Sequence, residues 1–180
     1  MIAPLIRSAT NADATALAEL LNAIIARGGT TALETPFTPE RLSEKYLTGP
    51  RVISCFVAFD AATGEALGFQ TLVREDHLPE GWGDIGTFTR VGGTQRGVGT
   101  ALFAATRARA TELSLVGLNA EIRADNVGGL AFYGRMGFED YDRKIAVPLA
   151  DGTPVDRTFK RYRIARESAP VTTGAKVSAE

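Results

Sequence analysis

The sequence predicts one mixed α/β (α+β) domain built on a mostly antiparallel sheet, and three observations carry that prediction. Apolar, β-branched and aromatic stretches sit on either side of turn-forming residues, as in hairpins. Helical periodicities fall between those stretches rather than in one block. A chain of 180 residues with 44% hydrophobic content encloses one well-buried core and is short for two domains.

Taken in order, Leu5 to Arg7 is the first strand candidate. Thr10, with Asp13 three residues on, suits a helix start because both side chains can satisfy orphan amides. Leu17, Leu20, Leu21, Ile24 and Ile25 follow at helical spacing until Gly28-Gly29 ends the run. A polar, threonine-rich segment leads to Thr38-Pro39-Glu40, which opens a short second helix with proline in its first turn. Val52 to Phe59 and Ala66 to Val73 flank turn residues and should pair as an antiparallel hairpin. Asp84 to Thr89 reads as a further strand, with two nearby glycines obscuring its register. After a glycine-bearing turn, a helix runs from about Gly99 to Leu113 with Leu102, Phe103, Thr106, Ala110 and Leu113 on one face. Leu118 to Ala124 is a fifth strand, and Val127 to Met136 a short helix stopped by Gly137. Tyr141 to Leu149 and Val155 to Ile164 close a last hairpin around Ala150 to Pro154, which brings the strands to seven. The domain should span residues 1–165, with a small, polar and mobile tail from 166.

Composition narrows the function classes. Lys and Arg total 20 against 21 Asp and Glu, a balance that provides no broad positive field for nucleic acid. No stretch approaches the roughly 20 apolar residues of a membrane span, and the start lacks a signal-peptide pattern, so the expectation is a soluble cytoplasmic protein. The lone Cys55 lies in an apolar run and reads as core. His77 is the single histidine, which leaves no multi-histidine metal site; it reads as a loop residue.

The segment Thr94-Gln95-Arg96-Gly97-Val98-Gly99-Thr100-Ala101-Leu102-Phe103 joins a strand to a helix through glycines that expose backbone amides, a turn able to cradle a pyrophosphate. No Lys-Ser or Lys-Thr follows, which excludes a P-loop, and a third glycine is missing, which excludes the Rossmann fingerprint. Gly-x-Gly before a helix is, by itself, also an ordinary tight turn.

This segment resembles the Gln/Arg-x-x-Gly-x-Gly/Ala signature of the GCN5-related N-acetyltransferase (GNAT) family, with Thr94 standing where Gln or Arg is usual. A second stretch is similar to that family's Asn-x(4)-Ala-x-x-Tyr-x-x-x-Gly-Phe pattern: Asn126, then Ala131, Tyr133 and Gly137-Phe138. The likeness covers roughly residues 4–165. It implies the GNAT fold, a sheet of about seven strands with helices on both faces, and acetyl-CoA as cosubstrate without a metal. It further implies that Gln95, Arg96, Gly97, Val98, Gly99 and Thr100 bind the CoA pyrophosphate, that Asn126 contacts the pantetheine arm, and that Tyr133 acts as general acid on the thiolate. Asn126 also suits a helix cap, and Tyr133 a core aromatic. Many relatives form homodimers.

A narrower likeness is to the phosphinothricin and methionine sulfoximine acetyltransferases, which act on small amino-acid-like amines. Gly29 to Phe37 is similar to the threonine-rich segment of that branch, and implies Thr30, Thr31, Glu34 and Phe37 as substrate contacts. Asp84 falls where the branch carries a strand glutamate. An α-amine with a pKa of about 8 is mainly protonated at neutral pH and needs a base before it can attack, a role open to Asp84. Amides of Thr87, Phe88 and Thr89 would face the thioester and stabilise the developing oxyanion. Arg74 is a candidate for a substrate carboxylate, and Trp82 with Phe37 could wall the pocket or pack in the core. The competing readings are a protein N-terminal or lysine acetyltransferase, and a non-catalytic acyl-CoA sensor, against which Asp84 and Tyr133 argue.

Overall fold

The computed structural model describes residues 3–93 and 96–164. One sheet has the order β1-β2-β3-β4-β5-β7-β6, made of β1 (Leu5–Ser8), β2 (Val52–Phe59), β3 (Ala66–Val73), β4 (Trp82–Thr89), β5 (Gly117–Arg123), β6 (Glu139–Pro148) and β7 (Pro154–Arg163). Every neighbouring pair is antiparallel except β4 and β5. The helices are α1 (Ala14–Arg27), α2 (Pro39–Leu42), α3 (Val98–Glu112) and α4 (Val127–Arg135). This is the expected mixed architecture, with boundaries moved by one or two residues. The expected tail from residue 166 lies outside the described residues.

Local chemistry accounts for the element ends. The Thr10 amide donates to Asp13 Oδ2 at 2.7 Å, and Arg7 donates two further bonds to the same carboxylate at 2.7 and 2.8 Å, which ties the entry of α1 to β1. Gly28 ends α1 with φ of 70°, a conformation that glycine adopts without a Cβ penalty. The Thr38 hydroxyl caps α2 by accepting from the Arg41 amide at 3.2 Å, with Pro39 at the first helical position. Beyond Leu42 the helix widens into a π-helical turn, Ser43–Thr48, which no periodicity announced; it carries Tyr46 into the core.

Strand alternation splits the core between the two faces. Leu17, Leu21 and Ile24 of α1 pack on Val57, Phe69 and Phe88 on one side. On the other, Leu102 of α3 packs against Ala58, and Phe103 joins Leu72, Ile85, Leu118, Ile122 and Tyr133. Helices therefore cover both faces, as expected. Among the described residues no helix is long and apolar enough to cross a membrane.

One irregularity positions everything that follows. The parallel strands β4 and β5 pair only at Trp82/Gly117, Gly83/Leu118 and Asp84/Asn119. Past that last rung they part, yet β4 stays laddered to β3 as far as Thr89 and β5 to β7 as far as Arg123. The opening thus has two rigid walls rather than two frayed ends.

Candidate active-site cleft

A cleft of about 670 Å³ occupies the gap between β4 and β5 and runs from Asp84 to the start of α3. Its walls include Asp84 to Thr89 on one side and Glu121 to Arg123 on the other, with Thr30 to Leu33 from the loop after α1, Lys45 and Tyr46 from the π-helical turn, and Phe132 and Tyr133 from α4.

At the α3 end, Gly97 is the helix N-cap in the left-handed region with φ of 84°, and among the described residues no side chain caps the helix. The first turn holds no acidic residue, so its amides and the helix dipole face the cleft uncompensated, a fit for the phosphates of a CoA-type ligand. A Cβ on Gly97 would meet nothing within 4 Å, whereas one on Gly99 would come within 2.9 Å of the Phe132 ring. The two glycines serve different ends: Gly97 the backbone conformation, Gly99 the close packing of α4. Gly99 and Thr100 line the cleft; the Val98 side chain is buried with Ala58 and Leu102, leaving only its backbone to contribute. Arg96 is exposed and outside the lining residues, and Gln95 lies outside the described residues.

In the middle, the Tyr133 hydroxyl is 2.9 Å from Thr87 Oγ1 and donates to the Ile85 carbonyl at 3.4 Å, while Gln70 Nε2 donates to Thr87 Oγ1 at 2.8 Å. Burial pushes the Tyr133 pKa up, so the phenol keeps its proton at neutral pH. Since the Ile85 carbonyl points into the gap and the Arg90 amide bonds back to Leu67, alternation turns the Thr87 and Thr89 backbone groups toward the gap as well. Those of Phe88 turn toward β3, and its ring packs on Phe69 and Tyr46 at centroid distances of 4.9 and 6.2 Å. Phe88 backs the cleft rather than offering it a donor.

At the closed end, Asp84 sits on the last β4/β5 rung. Burial raises its pKa to about 6, against a lowering hydrogen bond from Asn119, whose Nδ2 donates to Asp84 Oδ1 at 2.6 Å. Glu75 and Glu121 push the same way as burial, and His77 opposes them.

A GNAT-family acetyltransferase model matches residues 18–138, which contain the glycine turn, Asp84, Asn126 and Tyr133. The chain belongs to the GNAT acetyltransferase family. The acetyltransferase is thereby an acyl-CoA-dependent transferase. Solved structures agree on the fold. One similar structure is the GNAT-superfamily phosphinothricin acetyltransferase of Sinorhizobium meliloti in complex with acetyl-CoA, at 20% identity and TM-score 0.76, covering 96% of this chain and 97% of that one. Another is the ribosomal-protein-alanine N-acetyltransferase of Brucella melitensis, at 21% and 0.74, covering 88% and 99%. A third is an N-acetyltransferase of Staphylococcus aureus, at 17% and 0.77, covering 90% and 99%. No curated protein matches the sequence.

The substrate residues expected from the sequence disperse in the structure of the acetyltransferase. Thr30 and Thr31 line the cleft. They are held there through their backbones: Asn126 Nδ2 donates to the Thr30 carbonyl at 2.8 Å and Arg123 Nη1 to that of Thr31 at 3.4 Å. Asn126 also caps α4 by accepting from the Gly129 amide at 2.9 Å, so its amide is used at both ends. Glu34 is outside the cleft lining and accepts from the Ala150 amide at 2.9 Å, fastening the threonine-rich segment to the β6–β7 turn. Phe37 is buried in the core, stacked on Tyr46 at 5.9 Å, because the Asn22 side chain bonds both its amide and its carbonyl and pins it inward. Arg74 is exposed and outside the lining, its side chain past the end of β3. Trp82 lies against Gly117 at the far end of β4, also off the cleft.

Sequence reasoning missed Asn119, Tyr46, Arg123 and Tyr141. Only Asn119 left a signal: a polar residue between Leu118 and Ala120 in a strand interior, here 1% exposed. Cleft cations were missed as well. Lys45 and Arg27 line the cleft, and among the described residues neither forms an ion pair.

Proposed function

We propose that the enzyme moves an acetyl group from acetyl-CoA directly to the primary amine of a small amino-acid-like substrate. The observation that carries this reading is the Asp84 carboxylate with a pKa of about 6, at the closed end of a cleft whose other end is a helix N-terminus begun by Gly97. A base is most effective when its pKa lies near the working pH, and Asp84 is mainly ionised at pH 7 while still basic enough to accept a proton. Lys45 and Arg27 supply positive charge in the same cleft, and they replace Arg74, which lies outside its lining, as partners for a substrate carboxylate. The phosphinothricin acetyltransferase among the similar structures supports an acceptor of this class.

Acetyl-CoA, when bound, supplies an activated acyl group on a thiol leaving group. The chain's own residues do the rest. Amides at the α3 N-terminus hold the pyrophosphate and fix the arm along the gap. Asp84 takes the proton from the attacking nitrogen, and the Thr87 and Thr89 amides donate to the carbonyl oxygen as charge develops there. Tyr133, whose raised pKa keeps it protonated, donates to the departing sulfur.

Thiol release from acetyl-CoA in the presence of phosphinothricin, methionine sulfoximine, free L-amino acids, polyamines and peptide N-termini tests the reading. Turnover should appear with an α-amino acid or analogue, and esterifying its carboxylate should raise KM. Turnover confined to peptides replaces this reading with protein N-terminal acetylation, which the ribosomal-protein-alanine enzyme among the similar structures favours. CoA binding without turnover of any amine leaves an acyl-CoA sensor.

A further inference from the structure

We infer that Asn119 and Tyr141 form a positioning relay that fixes the orientation and basicity of the Asp84 carboxylate, an inference that rests on the reading of Asp84 as the base. Asn119 stands opposite Asp84 on the last rung before β4 and β5 part, so their side chains leave the sheet on the same face and side by side. The Asn119 side chain is fully buried and uses both ends of its amide: Nδ2 donates to Asp84 Oδ1 at 2.6 Å, and Oδ1 accepts from the Tyr141 hydroxyl at 2.6 Å. Among the described residues no hydrogen bond reaches Asp84 Oδ2, so one carboxylate oxygen is anchored and the other is left for the amine.

Tyr141 does not arrive there by regular strand geometry. The β6/β7 register shifts between Asp140/Lys160 and Asp142/Phe159, which makes Tyr141 the extra residue of a bulge on the edge strand. Bulges re-aim side chains, and this one lays the tyrosine across β7, its ring 6.2 Å from that of Phe159 and 5.8 Å from the Arg161 guanidinium, until its hydroxyl meets Asn119 on β5. An asparagine amide is symmetric enough to flip, and an ionised carboxylate accepts only from its NH₂ end. By donating to Oδ1, Tyr141 selects that orientation and polarises the amide toward Asp84. The relay thus links residues of β6, β5 and β4 across the intervening β7 to hold one oxygen.

Other groups that act on Asp84 do so from different directions. Glu75 and His77 lie after β3 and Glu121 is on β5, while Tyr46 in the π-helical turn and Tyr133 on α4 feel the Asp84 charge, which raises their own pKa values, rather than shifting it. Glu75 and Glu121 disfavour the carboxylate, and His77 favours it. Asn119 supplies the largest influence that favours it, so its removal should move the titration of Asp84 upward and leave less of the carboxylate ionised at neutral pH.

The test is a carbon-13 NMR titration of protein labelled at aspartate carboxyl carbons, with the Asp84 resonance assigned by its loss in Asp84→Asn. Asn119→Leu keeps the side-chain volume and removes the donor; its Asp84 midpoint should rise by about one pH unit, a tenfold change in the ionisation constant. Tyr141→Phe deletes one hydroxyl from a half-exposed side chain and should move the midpoint in the same direction by a few tenths of a unit. A midpoint at the wild-type position overturns the relay, read in Asn119→Leu if it folds and in Tyr141→Phe if it does not. The parent reading fails separately: full activity of Asp84→Asn at neutral pH, in acetyl transfer to phosphinothricin or to another amine acetylated by the wild type, removes the base itself and the relay's role with it.

Discussion

Replacing Asp84 by asparagine should make the enzyme more stable and less active, and the structure sets the size of the first effect. The folded-state pKa of Asp84 is about 6 against an ordinary value of 3.8, raised chiefly by burial. A carboxyl that holds its proton more tightly when folded stabilises the fold only while protonated. Between pH 4 and 6 the unfolded chain has released that proton and the folded chain has not, so stability falls as pH rises through this window and stays lower above it. About two pH units at roughly 1.4 kcal/mol each gives an upper bound of about 3 kcal/mol. Asparagine has no such titration and can still accept from Asn119. Urea unfolding of both proteins at pH 4 and pH 7, extrapolated to water, should give near-equal stabilities at the lower pH and a gain for Asp84→Asn of up to about 3 kcal/mol at the higher. Acetyl transfer by the variant should drop at neutral pH and partly recover as the pH approaches the amine's own pKa of about 8. A stability difference that does not grow with pH would refute the argument, because the buried carboxylate would then carry no cost. Full activity at neutral pH would refute the assignment of Asp84 as base.

Gly97→Val should abolish the rise in Tm that CoA gives the wild type, since a β-branched residue cannot hold φ of 84° and the N-terminal amides of α3 turn away from the ligand; a retained shift in a folded variant would dismiss this turn as the phosphate site. Tyr133→Phe should lower kcat by roughly 10²- to 10⁴-fold with little change in CoA affinity by calorimetry, because the ring packing survives and only the proton donor is lost. Asn126→Ala should cost about 1 kcal/mol in thermal or urea unfolding through the lost α4 cap, whereas Asn126→Asp keeps the Gly129 acceptor and should lose much less. In Asn126→Asp the donor to the Thr30 carbonyl is gone, so a raised acceptor KM should accompany near-wild-type stability.

The elements were legible because their signals are local. The Thr10/Asp13 box, the leucine and isoleucine spacing of α1, the turn residues at 60 to 65 and the glycine at 97 each act within a few residues of their own position. The π-helical turn at Ser43–Thr48 was not, because its extra residue per turn is stabilised by Tyr46 packing between Phe37 and Phe88, contacts to distant segments. Phe37 shows the same limit: its apolar character was plain, but only the bonds from Asn22, on another helix, turn it inward.

The chain order and chemistry of its residues were enough to determine the class of fold, the glycine turn at the start of α3, and the family motifs around Asn126 and Tyr133. What the tertiary structure alone decided is where β4 and β5 cease to pair, and hence which side chains share the gap. That rung brings Asp84 beside Asn119, 35 residues away, and a bulge on the sheet edge adds Tyr141, 22 residues farther on. Such groups meet across strands through register, and register is set by the packing of a whole face rather than by any short run of residues.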